Sequence, residues 1–171
     1  LLIFSAFSVV FIHRFWISDD AFITFRVVDN FLNGYGLRWN AHERVQAYTH
    51  PLWMFIIIAF EGIVQNIGVA TLLASLVFFL LTIALILGEV RTYIALTAIT
   101  LVLLGSQSFM DYSSSGLENV LSYFLILSLF FTFLRAREDD GIINHLLSIT
   151  LHVSLLFLSR PDLVLMGLPF W

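Results

Sequence analysis

From Val69 to Gly88 the chain carries no charged residue. At about 1.5 Å per residue, a helix of that length matches the roughly 30 Å hydrocarbon core of a bilayer. Further apolar segments occupy 1–12, 51–65, 93–110, 119–134, 143–159 and 163–171. Polar breaks separate them: a long loop at 13–50, QNIG at 65–68, EVRTY at 89–93, DYSSSGLEN at 111–119, RAREDDG at 135–141 and SRPD at 159–162. With 60% of residues hydrophobic and 12% charged, the pattern predicts an all-α integral membrane protein, a multi-pass helical bundle. The run 1–12 is too short to span before His13 and Arg14, and the chain ends at Trp171 inside an apolar stretch. Residues 1–171 are therefore expected to be a fragment, the N-terminal part of a larger transmembrane domain. A signal peptide at 1–12 is the weaker alternative, because no basic stretch precedes it and no small-residue cleavage site follows.

All eight basic residues are Arg and the net charge is -4, with no Cys. No basic patch supports nucleic-acid binding, and disulfides, thiolate metal sites and a Cys nucleophile are excluded. Arg placement bears on topology, since short cytoplasmic loops are rich in basic residues. If 51–65 does not cross, Arg91, Arg135 and Arg137 share the cytoplasmic side. The 13–50 loop, Glu118 and Arg160-Pro161-Asp162 then share the outer side. Segment 51–65 is short, follows Pro51 and holds Glu61 and Gln65, which suits an interfacial or re-entrant helix.

The 13–50 loop has structure of its own. Ser18 or Asp19 can cap a helix from about Asp20 to Asn33, with Gly34 as its stop. Ile23, Val27, Val28, Phe31 and Leu32 would form its apolar face, opposite Arg26, Asp29, Asn30 and Asn33. Such an amphipathic juxtamembrane helix lies at the bilayer surface. Asn33-Gly34-Tyr35-Gly36 then reads as a turn.

Asp19 and Asp20 stand where the chain leaves an apolar run, a costly place for two carboxylates. One reading is a helix cap aided by the helix dipole. Another is a general base acting on a hydroxyl. A third is a divalent-cation site completed by His13 and Asp29, although two adjacent acids alone are incomplete. Arg26 is a solvated residue or an anion clamp. Arg160 either snorkels to the interface or binds a lipid phosphate, with Asp162 orienting it. Glu118 opens the 119–134 helix beside Ser115, as a first-turn acid or as a ligand for sugar hydroxyls. Tyr48, Thr49 and His50 can hydrogen-bond a sugar or, with Trp39 and Trp53, anchor the headgroup region. His145 and His152 lie seven residues apart, on one helix face, which points toward the bundle interior. They, Glu61 and Glu89 receive no role.

Taken together, DDAFITFR, the N-x-x-x-G-Y-G-L-R-W-N stretch, ERVQAYTHPLW, SSSGLE and SRPD resemble, in that order, the GT-C superfamily of membrane glycosyltransferases. They are most similar to the mycobacterial terminal arabinofuranosyltransferase family, some of whose relatives carry the label flagellar motor control protein. The resemblance runs from Asp19 to Asp162. It implies a cell-membrane enzyme that takes a sugar from a polyprenyl-phosphate donor and passes it to a glycan, lipid or protein acceptor on the outer face. It further implies Asp19 or Asp20 as catalytic base, Arg160 near the donor phosphate and Glu118 in the site, with inversion at the anomeric centre. Two positions depart from the family pattern: His50, more usually Asn or Ser, and Asn119-Val120, more usually Thr-Pro.

Two other classes compete. A transporter would place polar residues on broken helices near the bilayer midplane, whereas here they gather at helix ends. A non-enzymatic membrane factor in flagellar motility or envelope assembly would keep much of the same loop.

Overall fold

The computed structural model describes residues 2–43, 45–136, 142–167 and 169, with the side chains at 135, 136, 142 and 145 excepted. Arg137 and the side chains of Arg135 and His145, used in the sequence reading, lie outside this description. All described regular structure is helical. The order is α1 (Leu2–Arg14), α2 (Ala21–Leu32), α3 (Pro51–Val64), α4 (Ile67–Glu89), α5 (Tyr93–Gly105), α6 (Gln107–Ser113), α7 (Asn119–Ala136), α8 (Ile142–Ser159) and the four-residue α9 (Val164–Gly167), entered through a 3-10 turn at Pro161–Leu163.

The polar breaks become helix boundaries for local reasons. Gln65 takes the left-handed conformation (φ 55°) and ends α3. The Asn66 side chain then caps α4 by accepting from Val69 N at 3.1 Å, and Thr92 caps α5 through Ala95 N at 3.3 Å. The 93–110 segment is not one helix. Ser106 has extended backbone angles, and its hydroxyl accepts from Phe109 N at 3.3 Å. That local bond competes with helix propagation, and α5 and α6 diverge by 68°.

α4 packs between α3 and α7, and α7 packs on α8. Trp53, Met54, Ile57, Phe79, Ile83 and Leu121 are buried in one core with Phe7 and Phe11 of α1, and the Phe11 and Phe79 rings lie 4.7 Å apart. Polar contacts join α7 to α8: Ser122 Oγ meets Ser159 Oγ at 3.2 Å, and Ser128 Oγ meets His152 Nε2 at 2.8 Å. His152 thus faces the bundle interior, as its spacing suggested. Among the described residues α4 is long and apolar enough to cross a bilayer, and the bent pair α5–α6 makes a second such segment if counted as one span. α1, α3 and the stretches 119–134 and 146–159 are shorter apolar helices. Large apolar side chains such as Ile63, Tyr93 and Ile94 are almost fully exposed, an arrangement costly in water and natural against lipid.

α3 begins beside the loop that enters α7. Trp53, in its first turn, donates Nε1–H to Gly116 O at 3.2 Å, while Gly116 also adjoins Thr71 near the start of α4.

α2 corrects the expected amphipathic face. Its buried residues are Ala21, Thr24, Phe25, Val27 and Val28, whereas Ile23, Phe31 and Leu32 are 39–44% exposed. The buried stripe is rotated because Thr24 can go inside: its hydroxyl is paired with His50, which removes the desolvation penalty that a hydrophobicity pattern assigns to it. Neither Ser18 nor Asp19 caps α2 through its side chain. Asp19 Oδ1 instead accepts from Asp20 N at 3.1 Å and Ser18 Oγ at 3.2 Å. The predicted stop holds: Gly34 (φ 82°) follows the helix, Gly34 N donates to Phe31 O and Tyr35 N to Asn30 O, the pattern of a Schellman cap.

Gly116 combines a left-handed backbone with a close approach to α4. Its φ is +77°, and a Cβ there would stand 3.3 Å from Thr71 Cγ2. Gly116→Ala is expected to destabilise the protein by about 1–3 kcal/mol, read as a lowered melting temperature in detergent. Gly62→Ala, on a helix with open space around it, serves as control and should be neutral or slightly stabilising. Equal melting temperatures for the two variants would remove Gly116 from its structural role.

Candidate active site

Asp20 and Glu118 are brought together by a short splice between distant segments. Trp16 N donates to Ser114 O and Ser18 N to Ser115 O, both at 3.0 Å. Ser114 Oγ donates to Arg14 O at 3.0 Å and to Met110 O at 2.8 Å. An Arg14–Asp111 ion pair at 3.4 Å closes the outer edge. The chain entering α2 is thus laid against the SSSG loop entering α7. Ser114 and Ser115 are buried with their hydroxyls satisfied, so these two serines act as fasteners.

A cavity of about 240 Å³ results, lined by Asp20, Ile23, Thr49, His50, Leu117 and Glu118. Glu118 is 8% exposed. Its Oε2 lies 3.5 Å from His50 Nδ1, and its Oε1 lies 3.8 Å from Arg160 Nη1. Arg160 is held from below: Asp162 accepts from Nε and Nη2, both at 3.2 Å, and Asn119 Oδ1 accepts from Nη1 at 3.4 Å. This fork geometry fixes the guanidinium plane, so Asp162 orients Arg160 as the sequence suggested.

His50 joins the two halves. Its Nε2 lies 2.6 Å from Thr24 Oγ1, and its Nδ1 lies 3.3 Å from Thr49 Oγ1 as well as facing Glu118. Burial pushes the imidazole pKa below its ordinary 6.5; Glu118 opposes that shift and Arg160 adds to it. Because the folded pKa is depressed, the unfolded chain binds the proton first on acidification. The stability contribution of neutral His50 is thus complete above pH 6.5 and falls as the pH drops toward the folded value. His50→Asn should lose less melting temperature than wild type between pH 7 and pH 5.5. An identical pH slope in the two proteins would show that His50 is not the responsible group.

The structure does not bring every candidate here. Asp19 is occupied at the turn before α2 and is not among the cavity's lining residues. Arg26 donates Nε–H to Trp39 O at 2.9 Å and Nη2–H to Asn40 Oδ1 at 3.1 Å, with its guanidinium 4.9 Å from the Trp39 ring centre. Tyr48 lines a separate cavity with Arg38 and Gln46. Asp29 Oδ1 accepts from Asn33 at 3.0 Å. Among the described residues no group of three or more His, Asp or Glu side chains could hold a metal ion, so the proposed completion of the Asp pair by His13 and Asp29 is not formed.

Two participants were missed in the sequence. Thr24 stands one helical turn after Asp20, on the same face, and that spacing was the available signal. Asn119 was singled out for its departure from a pattern; its contact with Arg160 depends on how α7 and α8 are packed.

No protein-family profile matches the chain, and no solved structure matches it. Among curated proteins, the terminal β-(1→2)-arabinofuranosyltransferase of Mycobacterium tuberculosis is 33% identical over 172 residues, covering 90% of this chain and 27% of that protein. The terminal β-(1→2)-arabinofuranosyltransferase of Corynebacterium glutamicum is 52% identical over 44 residues, covering 26% of this chain and 6% of that protein. The chain thus spans about a quarter of the length of the mycobacterial relative. The resemblance drawn from the motifs between Asp19 and Asp162 is thereby upheld: over nine-tenths of its length, this chain is homologous to a terminal arabinofuranosyltransferase.

Proposed function

We propose that the chain forms part of a multi-pass membrane glycosyltransferase of GT-C type, acting at the outer face of the cell membrane. It would move a sugar from a polyprenyl-phosphate donor to a glycan, lipid or protein acceptor of the cell envelope. The observation that carries this reading is the meeting of Asp20, His50 and Glu118 around one cavity, with Arg160 against Glu118. The homology supplies the reaction class.

The reaction needs two things from the protein. An acceptor hydroxyl must lose its proton as its oxygen attacks the anomeric carbon. The bond from that carbon to the phosphate oxygen must break, with the electron pair leaving on the phosphate. Asp20 takes the proton. Arg160, already charged and oriented by Asp162, stabilises the departing phosphate. Glu118 holds Arg160 on one oxygen, and its other oxygen, 3.5 Å from His50 Nδ1, keeps lone-pair capacity to receive a sugar hydroxyl. His50, kept neutral by burial, adds no second positive charge beside Glu118, which leaves Arg160 as its cationic partner. The lipid part of the donor stays in the bilayer while its sugar enters the polar cavity, which aligns the reactants. Direct displacement inverts the anomeric centre.

The test is transfer of radiolabelled sugar from a panel of polyprenyl-phosphate donors by the full-length protein in membranes. Transfer is the expected result. A protein at normal abundance that transfers from none of them would move the weight to a non-enzymatic role in motility or envelope assembly.

A further inference from the structure

Among the residues that α2 buries, Thr24 alone is polar, with 2% of its surface exposed. A hydroxyl taken out of water needs a partner, and this one has His50 Nε2 at 2.6 Å. Thr24 stands one helical turn after Asp20, on the same face of α2. The contact therefore ties the helix that carries Asp20 to the residue that opens α3.

The far side of the ring decides where its proton sits. A neutral imidazole carries N–H on one nitrogen and a lone pair on the other. His50 Nδ1 faces Glu118 Oε2 at 3.5 Å, while Arg160 Nη1 lies 3.8 Å from the other oxygen, Oε1. An ionised carboxylate offers acceptors only. A lone pair on Nδ1 would be repelled by it, whereas an N–H is attracted. Asp20 lines the same cavity and adds charge of the same sign. Thr49 Oγ1, 3.3 Å from Nδ1, suits either tautomer, since a hydroxyl can donate or accept. The network thus assigns the proton to Nδ1. Nε2 is then bare, and the Thr24 O–H donates to it. Burial, which lowers the imidazole pKa, keeps the ring in this neutral form.

We propose that Thr24 is a positioning residue for the Glu118 carboxylate: its hydroxyl holds His50 as the Nδ1–H tautomer, and that N–H occupies a lone pair of Glu118 Oε2 so that Oε1 stays turned toward Arg160. For its effect on turnover the assignment rests on the glycosyl-transfer reading, to which it adds a directed chain. Thr24 donates to His50 and His50 donates to Glu118, which Arg160 meets from the other side. The helix bearing Asp20 is thereby coupled to the group that faces the donor phosphate.

The experiment uses full-length protein carrying ¹⁵N-histidine in lipid nanodiscs, with the His50 signals assigned by their loss in His50→Asn. Solid-state NMR should show wild-type His50 protonated at Nδ1 and bare at Nε2. A ring protonated mainly at Nε2 would overturn the proposal. Thr24→Val keeps the shape and removes the hydroxyl. It should leave a mixture of tautomers and raise the KM for the polyprenyl-phosphate donor about three- to tenfold, the scale of one hydrogen bond, with acceptor KM unchanged. Thr24→Ser should restore both readings. A pure Nδ1–H tautomer in Thr24→Val would show that Thr24 does not hold the ring. His50→Asn supplies the arm that separates positioning from packing, because its amide N–H can stand where Nδ1 stands but does not reach Thr24. Adding Thr24→Val to it should change donor KM by less than about 1.5-fold. An equal rise in both backgrounds would make Thr24 a packing residue only. The expected tautomers without transfer from any donor would sink the transfer reading and leave the Thr24–His50–Glu118 chain standing.

Discussion

Asp20→Asn should lower sugar transfer by about 10²- to 10⁴-fold, the range of a general base, without lowering thermal stability. The second half of that expectation follows from the structure, since Asp20 stands at the N-terminal cap of α2 yet makes no side-chain capping bond. Asn keeps the shape and loses the proton acceptor. Asp19→Asn should cost less than tenfold, because the amide oxygen of Asn can still accept from Ser18 Oγ and Asp20 N, the two bonds Asp19 makes. The measurement is the initial rate of labelled-sugar transfer in membranes containing matched amounts of each protein. If Asp19→Asn abolishes transfer and Asp20→Asn does not, the base has been assigned to the wrong acid. If neither does, the pair has no part in the chemistry.

Arg160→Lys should raise the KM for the polyprenyl-phosphate donor by roughly 10- to 100-fold, the scale of one or two charge-assisted hydrogen bonds. Charge is retained in that variant, so the effect isolates the fork. Lys cannot make the paired contact to Asp162 and still present an N–H toward the Glu118 side, whereas Arg160 does both. Asp162→Asn should act in the same direction and more weakly, because one oxygen acceptor survives. Acceptor KM should be unchanged in both. An Arg160→Lys protein with wild-type donor KM and kcat would remove Arg160 from phosphate binding.

The sequence showed the helical class, the helix boundaries at QNIG, EVRTY and SRPD, and most of the residues that converge. Those features are local: a cap, a glycine or a charge stands next to the helix it ends. Asp162 was legible as the partner of Arg160 because two residues separate them. The bend at Ser106 was missed because a serine in an apolar run caps or propagates a helix depending on which hydrogen bond its hydroxyl makes. The rotated face of α2 was missed for a related reason. Thr24 counts as polar until His50, 26 residues away, is known to satisfy it. Arg26 reads from the sequence as a solvated residue or an anion clamp; its contacts with Trp39 and Asn40 were not legible, because no periodicity describes the path of that loop. The splice of 14–18 onto 114–115 was likewise invisible, since backbone hydrogen bonds do not depend on side-chain pattern.

That splice also sets a timetable. Ser114 and its partner Arg14 are separated by 100 residues, and a ribosome adds about 5–20 residues per second. The two acids before α2 therefore emerge roughly 5–20 seconds ahead of the loop that will fasten them. Throughout that interval α1 and α2 must wait with Trp16 and Ser18 unpaired to Ser114 and Ser115. The site is thus a late event in biogenesis, and nascent chains stalled before Ser114 should hold every residue of the first loop and none of its final geometry.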